Sequence, residues 1–119
     1  MLLAFSVAPS GRPARVATDQ PTDQPAGSAT VTADEASVHD AVAEAVRIVR
    51  ESGLPNHTDS MFTTIEGEWD EVFDVVKRAT EAVGRYGSRV SLVIKADIRP
   101  GFQGELTGKL DRLEQALGD

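Results

Sequence analysis

The chain has 119 residues, 40% hydrophobic and 26% charged, which bounds it to one domain of ordinary size. A formal net charge of −7 argues against general binding to DNA or RNA, which rests on Lys and Arg neutralising phosphates, and against anionic membrane surfaces. There is no cysteine, so disulfides, thiolate metal sites and a cysteine nucleophile are excluded, and a cytoplasmic setting is expected.

The opening "MLLAFSVAPS" has a short apolar run without a basic flank, which reads as a first strand rather than a signal peptide. Leu3, Phe5 and Val7 then share one face, and Ala4, Ser6 and Ala8 the other. No stretch approaches the ~20 apolar residues of a membrane span. Residues 9–33 hold four of the six prolines and a tandem "TDQP", and little that can be buried. A flexible insert is expected there; its functional reading is a lid over a ligand.

Ser37 followed by Asp40 resembles a capping box, so a helix is predicted from that point. Its expected stripe is Val38, Val42, Ala45, Val46 and Val49, with Gly53 and Pro55 ending it. "HTDSMFTTIEG" reads as two short strands joined by a tight turn. In the second, Ile65 points one way while Thr64 and Glu66 point the other. A helix from about Trp69 to Val83 carries Val72, Val75, Val76, Ala79 and Val83 as its stripe, with acids in its first turn to suit the helix dipole. "GRYG" at 84–87 reads as a helix stop and turn rather than a phosphate-clamping G-x-x-G loop. "RVSLVIKAD" sets Val90, Leu92, Ile94 and Ala96 on one face, with Ser91, Val93, Lys95 and Asp97 on the other. A third helix, from about Thr107 to Leu117, shows Leu110, Leu113 and Leu117.

The fold class that follows is α+β, a ferredoxin-like βαββαβ antiparallel sheet with helices on one face and a short C-terminal helix, in one domain spanning 1–119. The other sheet face collects Ala4, Ser6, Ala8, Phe62, Thr64, Glu66, Ser91, Val93, Lys95 and Asp97. Two accounts fit that mixture. It is a solvated face or subunit interface with a Lys95–Glu66 pair, or it is a small-molecule site walled by a second subunit.

Four blocks, "AFSVAP" at 4–9, "VAEAVRIVRESGLP" at 42–55, "TTIEGEWDEV" at 63–72 and "RVSLVIKADIRPG" at 89–101, resemble the MTH1187/YkoF-type thiamine-binding family in order and spacing. The resemblance covers about residues 2–9 and 36–117. It implies a ferredoxin-like fold, association through open sheet faces into a homodimer or homotetramer, and binding of thiamine or its hydroxymethylpyrimidine moiety. It implies no catalysis and no cofactor. Two features depart from the family pattern. Met61-Phe62-Thr63 stands where relatives have a glycine before the strand, so Phe62 either stacks on a pyrimidine or fills the pocket. The 9–33 insert replaces a short turn near one end of the implied site.

Thiamine joins an aminopyrimidine to a cationic thiazolium. Glu66 is the candidate acceptor for the exocyclic amine, since a charge-assisted bond is the stronger kind. Asp97 is the candidate counter-charge for the thiazolium. Ser6, Thr64 and Ser91 supply hydroxyls. Lys95 orients Glu66, binds a ring acceptor or phosphate, or pairs with an acid.

Other chemistries find little support. His39 and His57 have no neighbours at metal-ligand spacing, and no G-x-S-x-G elbow is present. Acylphosphatase-like hydrolysis would need an arginine held after the first strand, where Arg12 and Arg15 sit in a Pro-rich run. The main rival to ligand binding is an interaction oligomer that takes no small molecule.

Overall fold

The computed structural model describes residues 1–12 and 33–118; most of the expected insert, with its lid reading and Arg15, lies outside them. The elements are β1 (Leu2–Ser10), α1 (Ala33–Glu51), β2 (Asn56–Thr58), β3 (Thr63–Glu66), α2 (Trp69–Val83), β4 (Arg89–Asp97) and α3 (Glu105–Gly118), with one 3-10 turn at Gly84–Tyr86. The four strands form an antiparallel sheet in the order β2-β3-β1-β4. This is the ferredoxin-like arrangement expected from the element order.

Period-two alternation determines the faces. Leu3 lies beside Ile65 and Ala96, while Phe5 lies beside Thr63 and Ile94. Leu3, Phe5, Val7 and Ile65 are buried with Ala41, Ala45 and Val49 of α1, and with Val72, Val75, Val76, Ala79 and Val83 of α2. The α2 stripe is the one its spacing predicts. Its start is held by Glu68, whose N–H donates to Glu71 Oε1 at 3.0 Å. At its end "GRYG" is a tight turn, where a Cβ on Gly87 would stand 2.6 Å from the Ser10 carbonyl oxygen. Tyr86 of this turn donates to Glu44 Oε2 at 2.7 Å, and Arg85 pairs with the same carboxylate, tying α1 to the start of β4.

Three expectations are corrected. α1 begins at Ala33, so Ser37 stands within the helix rather than at its cap. Ala33-Asp34-Glu35-Ala36 combines good helix formers with acids suited to an N-terminus, which accounts for the earlier start. The α1 stripe is also rotated: Ala41, Ala45 and Val49 are buried, whereas Val38 and Val42 are exposed. Both lines have helical spacing, and the one chosen puts small alanines where α1 meets its neighbours. Finally, the expected core face of β4 is bare. Val90 is half-buried, but Leu92 and Ile94 are each 38% exposed and Ala96 is exposed too. Alternation says which side chains share a face, not whether anything covers it.

Candidate functional site

Glu66, Leu2 and Asp97 form one row across β3, β1 and β4, on the face opposite the helices. The start of α3 stands against this row. The Glu66 carboxylate is buried and accepts two backbone N–H groups: Oε2 from Glu105 at 2.9 Å and Oε1 from Leu106 at 3.1 Å. It therefore caps the N-terminus of α3, satisfying two amides that have no partner within the helix. Asp97 pairs with Lys109 one turn further on, and that hydrogen bond and charge hold its carboxyl below the ordinary carboxylate range. Glu105, also buried, is bound by Arg112 at 2.7 Å and approached by Arg99 at 3.8 Å.

The remaining sequence candidates are dispersed. Thr64 and Lys95 lie in the next row with Ala4 between them and His57 at its far end. Lys95 is thus not opposite Glu66, and among the described residues it joins no ion pair. Ser6 is beside Val93, and Ser91 beside Ala8, further along the sheet. Phe62 precedes β3, in the turn between β2 and β3. There Asp59 Oδ1 accepts from Met61 N–H at 2.8 Å and Phe62 N–H at 2.9 Å, bonds that lower the Asp59 pKa, the Phe62 bond most. Phe62 and Ser6 border a cleft of about 210 Å³ that also meets Val42 and Val46 of α1. The seven residues do not converge within the chain. Arg12, on the acylphosphatase reading, is exposed just past β1.

A different convergence occurs where β3 leads into α2. A cleft of about 310 Å³, at the lower end of ligand-pocket sizes, is bordered by Met1, Glu66, Gly67, Glu68, Glu71 and Phe102. Beside it a depression of about 140 Å³ shares Met1, Gly67, Glu68 and Phe102 and adds Trp69 and Arg99. Trp69 is 54% exposed and stacks on Phe73 with ring centroids 5.3 Å apart. Phe102 is 46% exposed and carries the Arg99 guanidinium 3.6 Å over its ring. The loop that brings Phe102 here turns back at Gly104, whose φ of +70° suits glycine. Trp69, Phe102 and Glu68 escaped the sequence reading as site residues. Their signal was two large aromatics in a chain only 5% aromatic, both beside charges and outside any apolar stripe.

The sequence profile of the thiamine-binding protein family matches residues 28–114. The chain belongs to the thiamine-binding protein family. Among relatives, it is 54% identical to the UPF0045 protein Mb1933 of Mycobacterium bovis over 81 residues, which is 67% of this chain and 79% of that protein. The structure resembles that of a DUF77 domain of unknown function from Bacillus cereus, with a TM-score of 0.64 at 29% identity, covering 92% of this chain and 85% of that one. It also shares its fold with a Thermotoga maritima protein provisionally named for thiamine biosynthesis or salvage, with a TM-score of 0.63 at 18% identity over 94% and 96% of the two chains. The thiamine-binding family assignment agrees with the resemblance carried by the four sequence blocks. Among the described residues no group of His, Asp and Glu is arranged to hold a metal ion, and no helix is long and apolar enough to cross a membrane.

Proposed function

We propose that this chain binds thiamine or its hydroxymethylpyrimidine moiety without turnover, in the cleft between the β3–α2 junction and the loop before α3, and works as a homodimer or homotetramer. The observation that carries this reading is the meeting of two half-exposed aromatic rings, Trp69 and Phe102, with Glu68 around the smaller depression, which adjoins the larger cleft that Phe102 and Glu68 share with Glu71. A flat heteroaromatic cation is attracted to such rings by stacking and by cation–π interaction. A carboxylate beside it accepts from the exocyclic amine. Glu68 takes the role first sought for Glu66, because Glu66 is only 8% exposed with each oxygen holding an α3 amide, whereas Glu68 is exposed and accepts one amide, that of Glu71, in the capping box of α2. Glu66 and Asp97 then act at one remove, by seating the α3 start that closes the cleft. Ser6, Thr64, Ser91 and Lys95 on the open face are left for contacts with a further copy or with the distal part of the ligand.

The test is calorimetric titration with thiamine and with hydroxymethylpyrimidine, on the wild type and on Trp69→Ala, Glu68→Gln and Lys95→Ala. Binding near micromolar, about −8 kcal/mol, is expected. Trp69→Ala and Glu68→Gln should each weaken it by about 1 kcal/mol or more. If only Lys95→Ala weakens it, the site lies across the open face instead. If neither compound binds, the ligand-free interaction oligomer is the better reading, favoured by the apolar surface left open on β4 and α3.

A further inference from the structure

Of the ion pairs among the described residues, that of Arg99 is the longest. Its Nη1 stands 3.8 Å from Glu105 Oε1, while Arg112 holds the other oxygen of that carboxylate at 2.7 Å. Two guanidinium groups thus face one carboxylate, and one positive charge is left over. Asp97, the acid just before Arg99 in the chain, is paired with Lys109. Arg99 is half-exposed and rests instead on the Phe102 ring, 3.6 Å from its guanidinium carbon. A guanidinium stacked on a ring keeps its N–H donors in its own plane, where an oxyanion can meet two of them at once. Arg99, Phe102, Trp69 and Glu68 all border the depression of about 140 Å³. Glu68 and Arg99 line it without pairing, so a carboxylate and a guanidinium face the same space. At Gly101, on the same rim, a Cβ would meet nothing within 4 Å, so the backbone leaves room beside Arg99.

Resting on the reading that the pyrimidine ring binds here, we propose that Arg99 is the specificity-determining residue of the depression. It selects the phosphomonoester of hydroxymethylpyrimidine over the free alcohol and over thiamine. Hydroxymethylpyrimidine carries its exocyclic amine and its hydroxymethyl group on adjacent ring carbons. One carboxylate and one guanidinium around a single depression match one amine and one anion on neighbouring atoms. The three ligands differ only in what that methylene carbon bears. It holds a neutral hydroxyl in the free alcohol, about 1.5–2 negative charges in the phosphomonoester, and the cationic thiazolium in thiamine. Arg99 is indifferent to the first, binds the second through charge-assisted and bidentate hydrogen bonds, and repels the third. Because Phe102 already holds the guanidinium, little side-chain freedom is lost when the anion arrives. The net charge of −7 opposes anions at long range. Beyond about 10 Å that field is largely screened by salt, whereas Arg99 acts at contact.

Calorimetric titration with hydroxymethylpyrimidine, its phosphate ester and thiamine, at fixed ionic strength, tests this on the wild type, Arg99→Gln, Arg99→Lys and Trp69→Ala. In the wild type the phosphate ester should bind about tenfold tighter than the free alcohol, as one charge-assisted contact provides. Arg99→Gln should erase that advantage, leave the free alcohol within about twofold, and tighten thiamine rather than weaken it. Arg99→Lys keeps the charge without the fork and should retain part of the advantage. The steady affinity for the free alcohol separates a lost charge from a collapsed loop. A phosphate ester that binds no tighter than the alcohol, or whose advantage survives Arg99→Gln, would overturn the role of Arg99. Equal weakening of all three ligands by Arg99→Gln would overturn it too, leaving Arg99 a prop for the Phe102 loop. In each of those cases the site itself stands if Trp69→Ala weakens all three. If Trp69→Ala weakens none of them, or none binds, the site is lost and the role of Arg99 with it.

Discussion

α2 and α3 carry the same kind of apolar stripe and meet opposite fates. Val72, Val75, Val76, Ala79 and Val83 of α2 are at most 3% exposed, while Leu110, Leu113 and Leu117 of α3 are 60%, 52% and 70% exposed. The spacing of the two stripes does not separate them. What separates them is the surface opposite. α2 runs between β3 and β4 in the chain and folds back onto the sheet it has just left. α3 comes after the last strand and is anchored at its start, by Glu66 and Asp97. Beyond that anchor its side chains face solvent. Strands β1 and β4 repeat the contrast: Leu3, Phe5 and Val7 are buried, and the equivalent Leu92 and Ile94 of β4 are not. Periodicity makes a segment amphipathic, and only neighbours make it a core.

The contrast can be broken at its buried end first. Ile65→Ala removes a fully buried side chain between the sheet and both helices and should cost about 2–5 kcal/mol in urea unfolding. A loss below about 1 kcal/mol would mean that this half of the molecule is loosely packed. Next comes the anchor. Glu66→Ala takes the acceptor from two α3 amides and should cost about 1–3 kcal/mol, with faster hydrogen exchange at Glu105 and Leu106 and little change in α2. Exchange that rises equally in α2 would show that α3 is part of the core unit and not an appended helix.

Smaller effects follow from pH. Asp97, Asp59 and Glu44 all have lowered pKa values, through Lys109, the Phe62 amide and the Tyr86 hydroxyl respectively. A group whose folded pKa is depressed contributes stability that is present above the unfolded pKa and lost as pH falls through the folded one. These three should therefore stabilise the chain above about pH 4.5 and lose that contribution in more acid solution. Carboxyl titrations by NMR should place all three midpoints below those of unstructured peptides; midpoints at the ordinary values would argue against the ion pairs and the turn. The smallest effect is expected for Leu113→Ala, within about 0.5 kcal/mol if the stripe faces water. A larger loss that depends on protein concentration would reveal a partner over α3.

Much of this was legible along the chain. Alternation in "LLAFSVA" and "TTIE" gave the faces of β1 and β3, and the α2 stripe was complete, because both patterns depend on backbone geometry alone. The α1 stripe was not, since two lines of apolar residues share that helix and packing chose Ala41, Ala45 and Val49. Glu66 was correctly placed on the face opposite Ile65. That it would be occupied by amides 39 and 40 residues away had no local trace.

The sequence by itself determined the element order, the antiparallel pairing pattern and the family, because these follow from local periodicity, turn residues and the four matching blocks. Tertiary structure decided what each exposed face meets. It turned Glu66 into the cap of α3, brought Trp69 and Phe102 to one cleft, and left the edge of β4 bare. Those outcomes depend on how distant segments approach one another, and side-chain spacing along the chain carries no record of that.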